Sequence, residues 1–384
     1  MKIWLLLCCV GLASCTLKPG STFVPEGQGK ASQSPEPAPR VPSPAPTAAA
    51  TPVSAEILGR ALNSAAKILV DRLPSSDEMK EGTAGLAGYE KVIRTYLASI
   101  SFRQRLHKEN QNFHKLGGTA GGVNRNEPAN FATYLVLKDL DYREILTADY
   151  CVDDNLNAVS HCDAFPDPAT AKSQAAGVMT TRAFLSKWTL AGFNFNRVKE
   201  SFSQFLCASY PDGTDLGLTV DEVASSVKEF NSTSGAGACY NCHRSMNSKA
   251  ALFFSFNLEG RYTSDRGTST KRDGGAVDSA LTDVLSPVRK EWPPENPQVV
   301  QPKAHGRNVN KLRDLALLMA EDPRFAQCTV QRYANFLLGR GYHEEGYMTP
   351  LPASLQPLVE DLKKNGFRVR EILVKILKSD AFLR

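Results

Sequence analysis

Apolar residues recur along most of this chain at three- and four-residue intervals, the spacing that lines one face of a helix. Ile57, Leu58, Ala61, Leu62, Ala65, Ile68 and Leu69 form the first such stripe, and Tyr89, Val92, Ile93, Tyr96, Leu97 and Ile100 the second. Phe195, Val198, Phe202, Phe205 and Leu206 repeat the pattern. Thr219 and Glu222 make a capping box that opens a further helix carrying Val223, Val227 and Phe230. Leu312, Leu315, Ala316 and Met319 then mark a helix ended by Pro323. Residues 325–338 form the next, stopped by Gly339, and 355–364 and 369–377 complete the series. No succession of alternating β-rich runs appears, so the pattern predicts an all-α fold in which these stripes are core.

Between the stripes lie polar stretches. Residues 117–126 (GGTAGGVNRN) lack the Gly-Lys-Ser/Thr ending of a phosphate loop and follow no strand, so they read as a mobile surface loop. His107 and His114 lie at or near a polar helix end and are expected to face solvent. Residues 264–290 and 291–302, rich in glycine and proline respectively, read as loops.

The N-terminus departs from this pattern. Residues 1–15 (MKIWLLLCCVGLASC) combine one lysine, a short apolar run and a lipobox ending at Cys15, the reading of a lipoprotein signal peptide whose product is lipidated on Cys15. The apolar run is too short to remain as a membrane-spanning helix. Thr16, rather than Asp, follows the lipidated residue, which favours the outer membrane. Residues 16–53 are dense in Pro, Ala, Ser and Gly and cannot bury enough surface to fold. They read as a disordered, semi-rigid tether. A helical N-terminal domain over 54–234 and a second helical domain over 235–384 follow.

The chemistry concentrates at Cys239, Cys242 and His243, a C-x-x-C-H motif. This is the attachment signature of c-type haem: each sulfur adds to one vinyl group, and the histidine that follows ligates the iron. A zinc site would need a second Cys/His pair, and a thioredoxin-like pair an adjacent strand–helix unit; neither is present. The expected cofactor is one covalently bound haem c. Phe253, Phe254 and Phe256 follow the motif and suit either a haem wall or an ordinary core. For the second axial ligand, Met246 lies too close to His243 on the same side of the ring. Met348, in a proline-bearing loop ahead of the last helices, is the favoured residue, with His305, His343 or an open iron as alternatives.

The chain has nine cysteines. Cys8 and Cys9 leave with the signal, Cys15 takes lipid, and Cys239 and Cys242 take haem. The remaining Cys151, Cys162, Cys207 and Cys328 form an even set in an oxidising compartment and admit three pairings. Cys151 and Cys162 flank a polar loop and are placed to close on each other; Cys207–Cys328 would then tie the N-terminal half to the haem half.

With these segments laid out, the chain over 54–384 resembles the planctomycete-type secreted c-type cytochrome proteins. Their haem segment runs approximately C-x-x-C-H-x-x-M-D-P-x-G-F-A-L-E-x-F-D-x-x-G-R-Y. Cys239, Cys242, His243, Met246, Phe256, Gly260, Arg261 and Tyr262 match it without a gap. Residues 176–186, 205–207, 338–341 and 379–382 are similar to further motifs of that family. Its acidic positions are Asn247, Phe254 and Asn257 here. The resemblance implies a helical fold, secretion and haem, and names no reaction.

The net charge is +5, with lysine and arginine dispersed. Lys249, Arg261, Arg266, Lys271 and Arg272 gather around the haem segment, a patch suited to steering an acidic redox partner. No interleaved basic and aromatic groove suggests nucleic acid. Paired acids such as Asp153–Asp154 and Glu344–Glu345, and His161 beside Cys162, form no catalytic constellation. The favoured reading is a membrane-anchored monohaem cytochrome transferring electrons to periplasmic redox partner proteins, held at the outer membrane facing the periplasm or at the cell surface. The alternatives are a haem-dependent oxidoreductase with a substrate-binding N-terminal region and a surface-anchored binding module with structural haem.

Overall fold

The computed structural model describes residues 53–188, 194–208, 249–263, 303–304, 307–339 and 351–384. The chain divides into two compact units, Met1–Pro52 and Val53–Arg384, and every described residue lies in the second.

That unit is mostly helical. Helix α1 (Ala55–Val70) starts where the Ser54 hydroxyl accepts the Ile57 amide and buries Leu58, Leu62, Ala65 and Leu69. A reciprocal capping box between Ser75 and Glu78 opens α2 (Ser76–Thr83). The stripe expected to run from Tyr89 to Ile100 is broken. Helix α3 (Leu86–Leu97) ends before Ser99, whose hydroxyl accepts the Phe102 amide at 3.1 Å and starts α4 (Ile100–His114). Ile100 is consequently the first residue of a new helix and is 76% exposed rather than core.

Residues 117–126 form a hairpin, not a loose loop. Strands β1 (Thr119–Ala120) and β2 (Val123–Asn124) pair antiparallel around Gly121 and Gly122, which adopt φ of +59° and +72°. That left-handed two-residue turn matches the twist of paired strands, and only glycine enters it cheaply. The Asn126 carboxamide oxygen accepts from the Gly118 amide and from Gln111, fastening the hairpin base.

Helices α5 (Glu127–Leu137) and α6 (Glu144–Thr147) precede a second hairpin, β3 (Cys151–Val152) with β4 (Ala158–Val159). Then come α7 (Pro168–Gln174), a 3₁₀ turn (Gly177–Thr180), α8 (Arg182–Lys187) and α9 (Asn194–Leu206). After a 3₁₀ turn at Ala251–Phe253, strands β5 (Lys303–Ala304) and β6 (Arg307–Asn308) pair antiparallel. Helices α10 (Leu312–Glu321), α11 (Pro323–Leu337), α12 (Pro357–Lys364), α13 (Val369–Leu377) and α14 (Asp380–Leu383) follow. The capping-box helix expected after Thr219 lies outside the described residues.

One hydrophobic core runs from Leu58 to Leu383. Helix α13 packs against α3 and α5, α14 against α1, α11 against α9, and α10 against α6 and α7. Polar clamps cross the same seam: Arg94 of α3 grips Glu371 of α13 through both guanidinium nitrogens, and the Tyr89 hydroxyl donates to the Leu377 carbonyl. Described helices from both sides of residue 234 share one core. No helix among the described residues is long and apolar enough to cross a membrane.

Candidate functional site

Cys239, Cys242, His243, Met246, His305, His343, Met348 and Cys15 lie outside the described residues. The stretch that follows the C-x-x-C-H motif, 249–263, is described, and the body of the protein holds it in a dedicated seat.

The seat is built from two buried arginines. Arg197 of α9 is fully buried, and its guanidinium donates to the Leu185 carbonyl (2.9 Å), the Asn194 carboxamide (2.9 Å) and the Asn257 carbonyl (2.9 Å). Burial lowers its pKa to about 9, so it stays charged at neutral pH. A buried guanidinium needs its donors met, and this one meets them with acceptors on α8 and α9 and with the Asn257 carbonyl of the segment it docks. Arg182, at the start of α8, donates to the Glu259 carbonyl at 3.1 Å and to Asp163 at 2.9 Å. Asp163 also faces Arg261 at 3.6 Å.

The docked segment turns back on itself. The Asn257 side chain accepts the Arg261 amide, Phe256 bridges Tyr262, and Gly260 enters the turn at φ +79°. The Tyr262 amide donates to the Ala164 carbonyl at 2.7 Å, and Phe165, Phe256 and Tyr262 pack as an aromatic triad with centroids 5.7–5.9 Å apart. The Asn257 carboxamide oxygen thus supplies the acceptor the turn uses.

Glu127, the first residue of α5, positions α8 from below. Its carboxylate accepts the Ala183 amide at 2.9 Å. Burial pushes its pKa up to about 7, helped by the nearby charge of Asp163, against the pull of the Ala183 bond and of Arg182.

Around the end of α9 lies a second buried cluster. His114, expected at the surface, is fully buried because α4's last turn faces inward beneath α9. Its Nδ1 lies 2.8 Å from the Gln204 carboxamide oxygen, while Gln204 donates its NH₂ to Glu200 at 3.2 Å. That orientation of Gln204 makes His114 Nδ1 the donor and leaves Nε2 a bare acceptor. Among the described residues Nε2 has no hydrogen-bond partner, which in a buried site costs about 1–3 kcal/mol. Burial first, and the charge of Arg332 second, lower the His114 pKa to about 3, so the ring is neutral at physiological pH. Arg332 stacks on Phe113 at 3.6 Å from the ring centroid and donates to Asn110 and to the Tyr142 hydroxyl.

The cysteines meet as two pairs: Cys151 with Cys162, and Cys207 with Cys328. Cys207 follows the end of α9, as expected, but Cys328 sits inside α11 rather than near its end. The second pair packs with Phe113 beside His114.

Other expected surface features resolve differently. Lys249 is no part of a surface patch: it is 1% exposed, with Nζ 5.8 Å from the Phe202 ring centroid. Arg266, Lys271 and Arg272 lie outside the described residues. Asp153 caps the turn of the second hairpin through the Asn155 and Asn157 amides, and Asp154 accepts from Asn124 and Asn130. Both acids are structural. His161 bonds its neighbour Ser160. No cluster of three or more His, Cys, Asp or Glu able to hold a metal ion occurs among the described residues. An open groove of about 640 Å³ along α3, lined by Ala87, Glu90, Lys91, Arg94, Thr95 and Ala98, offers charges already engaged with Glu81, Glu371 and Lys378.

Sequence reasoning passed over Arg182, Arg197 and Glu127, and placed His114 at the surface. The signal available for Arg197 was a single cation inside an aromatic helix stripe, which a solvent-facing arginine would produce equally.

Residues 305–382 match a family model described as a protein of unknown function (DUF1585). The match covers α10 to α14 and the residues just before them, and does not reach the seat of residues 249–263. No curated protein and no solved structure matches the chain at a significant level.

Proposed function

We propose that this chain is a membrane-anchored monohaem c-type cytochrome that transfers electrons outside the cytoplasm. The observation that carries the reading is the C-x-x-C-H motif of Cys239, Cys242 and His243 in a chain that opens with a lipobox leader. The DUF1585 match is in keeping with the planctomycete-type secreted c-type cytochromes that the chain resembles, among which that domain occurs.

In this reading Cys239 and Cys242 hold the porphyrin through thioethers and His243 ligates the iron. The haem supplies a one-electron ferric/ferrous couple. The chain's own residues supply position. Arg197 and Arg182 fix the backbone that continues from the motif, and the aromatic triad of Phe165, Phe256 and Tyr262 keeps water from that backbone. Cys15 carries the lipid, residues 16–53 act as the tether, and the large helical body offers a docking surface for a periplasmic redox partner.

The test is expression of the full chain beside an active cytochrome-maturation machinery. A haem-stained band at the mature mass on a denaturing gel, and a low-spin spectrum in both redox states, are expected. A colourless protein would overturn the reading. A high-spin, ligand-accessible iron would favour the oxidoreductase alternative instead. Cys15→Ser should move the protein from the membrane to the soluble fraction, and unchanged membrane retention would refute lipidation.

A further inference from the structure

Glu127 opens α5 but serves another helix. It is only 7% exposed, and its carboxylate accepts the Ala183 amide at 2.9 Å. The first turn of α8 is thus capped twice: by Thr181, whose hydroxyl accepts the Phe184 amide, and by Glu127 from across a helix crossing.

On the far side of that turn lie residues 249–263. A single peptide separates them from Glu127: its N–H, on Ala183, meets the carboxylate, and its carbonyl, on Arg182, stands against Gly260. The approach is so close that a Cβ on Gly260 would sit 2.8 Å from that carbonyl. The Arg182 guanidinium reaches the Glu259 carbonyl and Asp163. Movement of the first turn of α8 therefore passes to the turn at 257–261 without slack. The roof over Ala183 is thin by contrast, since Leu116 and Val123 form with it a small cluster apart from the main core. A turn under so few apolar contacts opens at less cost than the core helices.

We propose that Glu127 is a proton-operated latch: protonated, it keeps the first turn of α8 closed on residues 249–263, and ionised, it lets the two open together. The latch does not depend on the haem reading.

The direction follows from the surroundings of the carboxyl. In the closed state burial opposes the ionised form and the charge of Asp163 adds to it. Together they outweigh the Ala183 bond and the charge of Arg182, so the proton is held up to about pH 7. In the open state water solvates the carboxylate and the ordinary 4.5 returns. Closure is complete below pH 4.5 and weakens as pH rises through 7. Arg182 and Asp163 are the charges that act on Glu127, and Asp163 also faces Arg261. The two histidines of α4 meet Asn130 and Gln204, Glu144 of α6 takes the Tyr150 hydroxyl, and Glu371 of α13 pairs with Arg94. Asp154, after β3, accepts from Asn124 and Asn130, and Arg125 ends the hairpin ahead of α5.

The experiment is amide hydrogen exchange of the full-length protein, read by mass spectrometry and corrected for the intrinsic effect of pH. Between about pH 5.5 and 8.5, protection of peptides covering 182–187 and 256–262 should fall together by about 30-fold, the ratio set by proton affinities of about 7 closed and 4.5 open. That protection should stay below the protection of α1 and α13, which exchange only when the whole fold opens. In Glu127→Gln both peptides should show protection that no longer varies with pH. A fall of the same size in Glu127→Gln overturns the latch, and so does a fall confined to 182–187. Protection equal to that of α1 and α13 at every pH also overturns it, because Glu127 would then act on global unfolding alone. Should Glu127→Gln fail to fold, Asp163→Asn decides: loss of that charge should move the midpoint of the fall to lower pH, and an unmoved midpoint overturns the latch.

Discussion

Gly260 shows how one missing side chain sets the seat of residues 249–263. A Cβ there would lie 2.8 Å from the Arg182 carbonyl and 2.9 Å from Leu185 Cβ, at a backbone φ of +79°. Gly260→Ala therefore meets both a conformational cost and a clash with backbone. It should destabilise the protein by at least about 1–2 kcal/mol in denaturant unfolding; a stability equal to wild type would show that the turn is not held against α8. Glu127 has a different signature. Its folded pKa of about 7 exceeds the 4.5 of the free side chain, so the folded state holds a proton that the unfolded chain releases. Its stabilising contribution is complete below pH 4.5 and is lost as pH rises through 7, a change of roughly 3 kcal/mol. Glu127→Gln, which cannot ionise, should gain about that much over wild type between pH 4.5 and 8, read as the difference between the two unfolding curves. Parallel pH profiles would remove Glu127 from the buried set. None of this was legible in the sequence. A glutamate opening a helix, an arginine on an aromatic stripe and a histidine at a helix end all have surface readings, and only the crossing of α8 and α9 over them makes them interior.

The helices themselves were legible because amphipathic stripes record which face meets the core, and the same stripes in the structure bury Leu62, Ile93 and Leu315. What escaped was decided by single residues or very short pairings. Ser99 ends one helix and caps another through one hydroxyl, and strands of two residues are too short to show a period of two. The C-x-x-C-H motif of Cys239, Cys242 and His243 was legible as a spacing and lies outside the described residues. Disulfides sit between these cases: the even count was visible, and the partners depend on which helices cross. Closure of an 11-residue separation by Cys151–Cys162 and a 121-residue separation by Cys207–Cys328 predicts unequal contributions, about 3 and about 5 kcal/mol in the chain-entropy account. Replacing both cysteines of a pair by serine should lower the denaturant midpoint more for the α9–α11 pair than for the hairpin pair. Peptide mapping without reduction should recover only these two linkages, and a crossed linkage would refute the pairing.

At the scale of the molecule, described helices from both sides of residue 234 share one core. The reason lies in how the chain closes. The last two helices return to the first: α13 lies on α3 and α5, and α14 on α1. Across this seam Tyr89, Ile93 and Leu97 face Leu373, Ile376 and Leu377 in a common buried core, and Arg94 and Glu90 reach Glu371 and Lys378 at its edge. The exposed ion pairs add little, but removing the partner helices would uncover the apolar faces, each large side chain losing about 1.5–3 kcal/mol of burial. A handful of such residues exceeds the whole stability of an ordinary domain. A fragment of residues 54–234, although it carries α1 to α9, should thus lack a cooperative thermal transition and bind a hydrophobic dye. Residues 54–384 without the leader and tether should unfold in a single transition. Coexpression with a second fragment of residues 235–384 should restore the transition, because the seam is non-covalent apart from Cys207–Cys328. A 54–234 fragment that unfolds cooperatively by itself would show that the N-terminal helices close their own core and that the seam is an interface between domains.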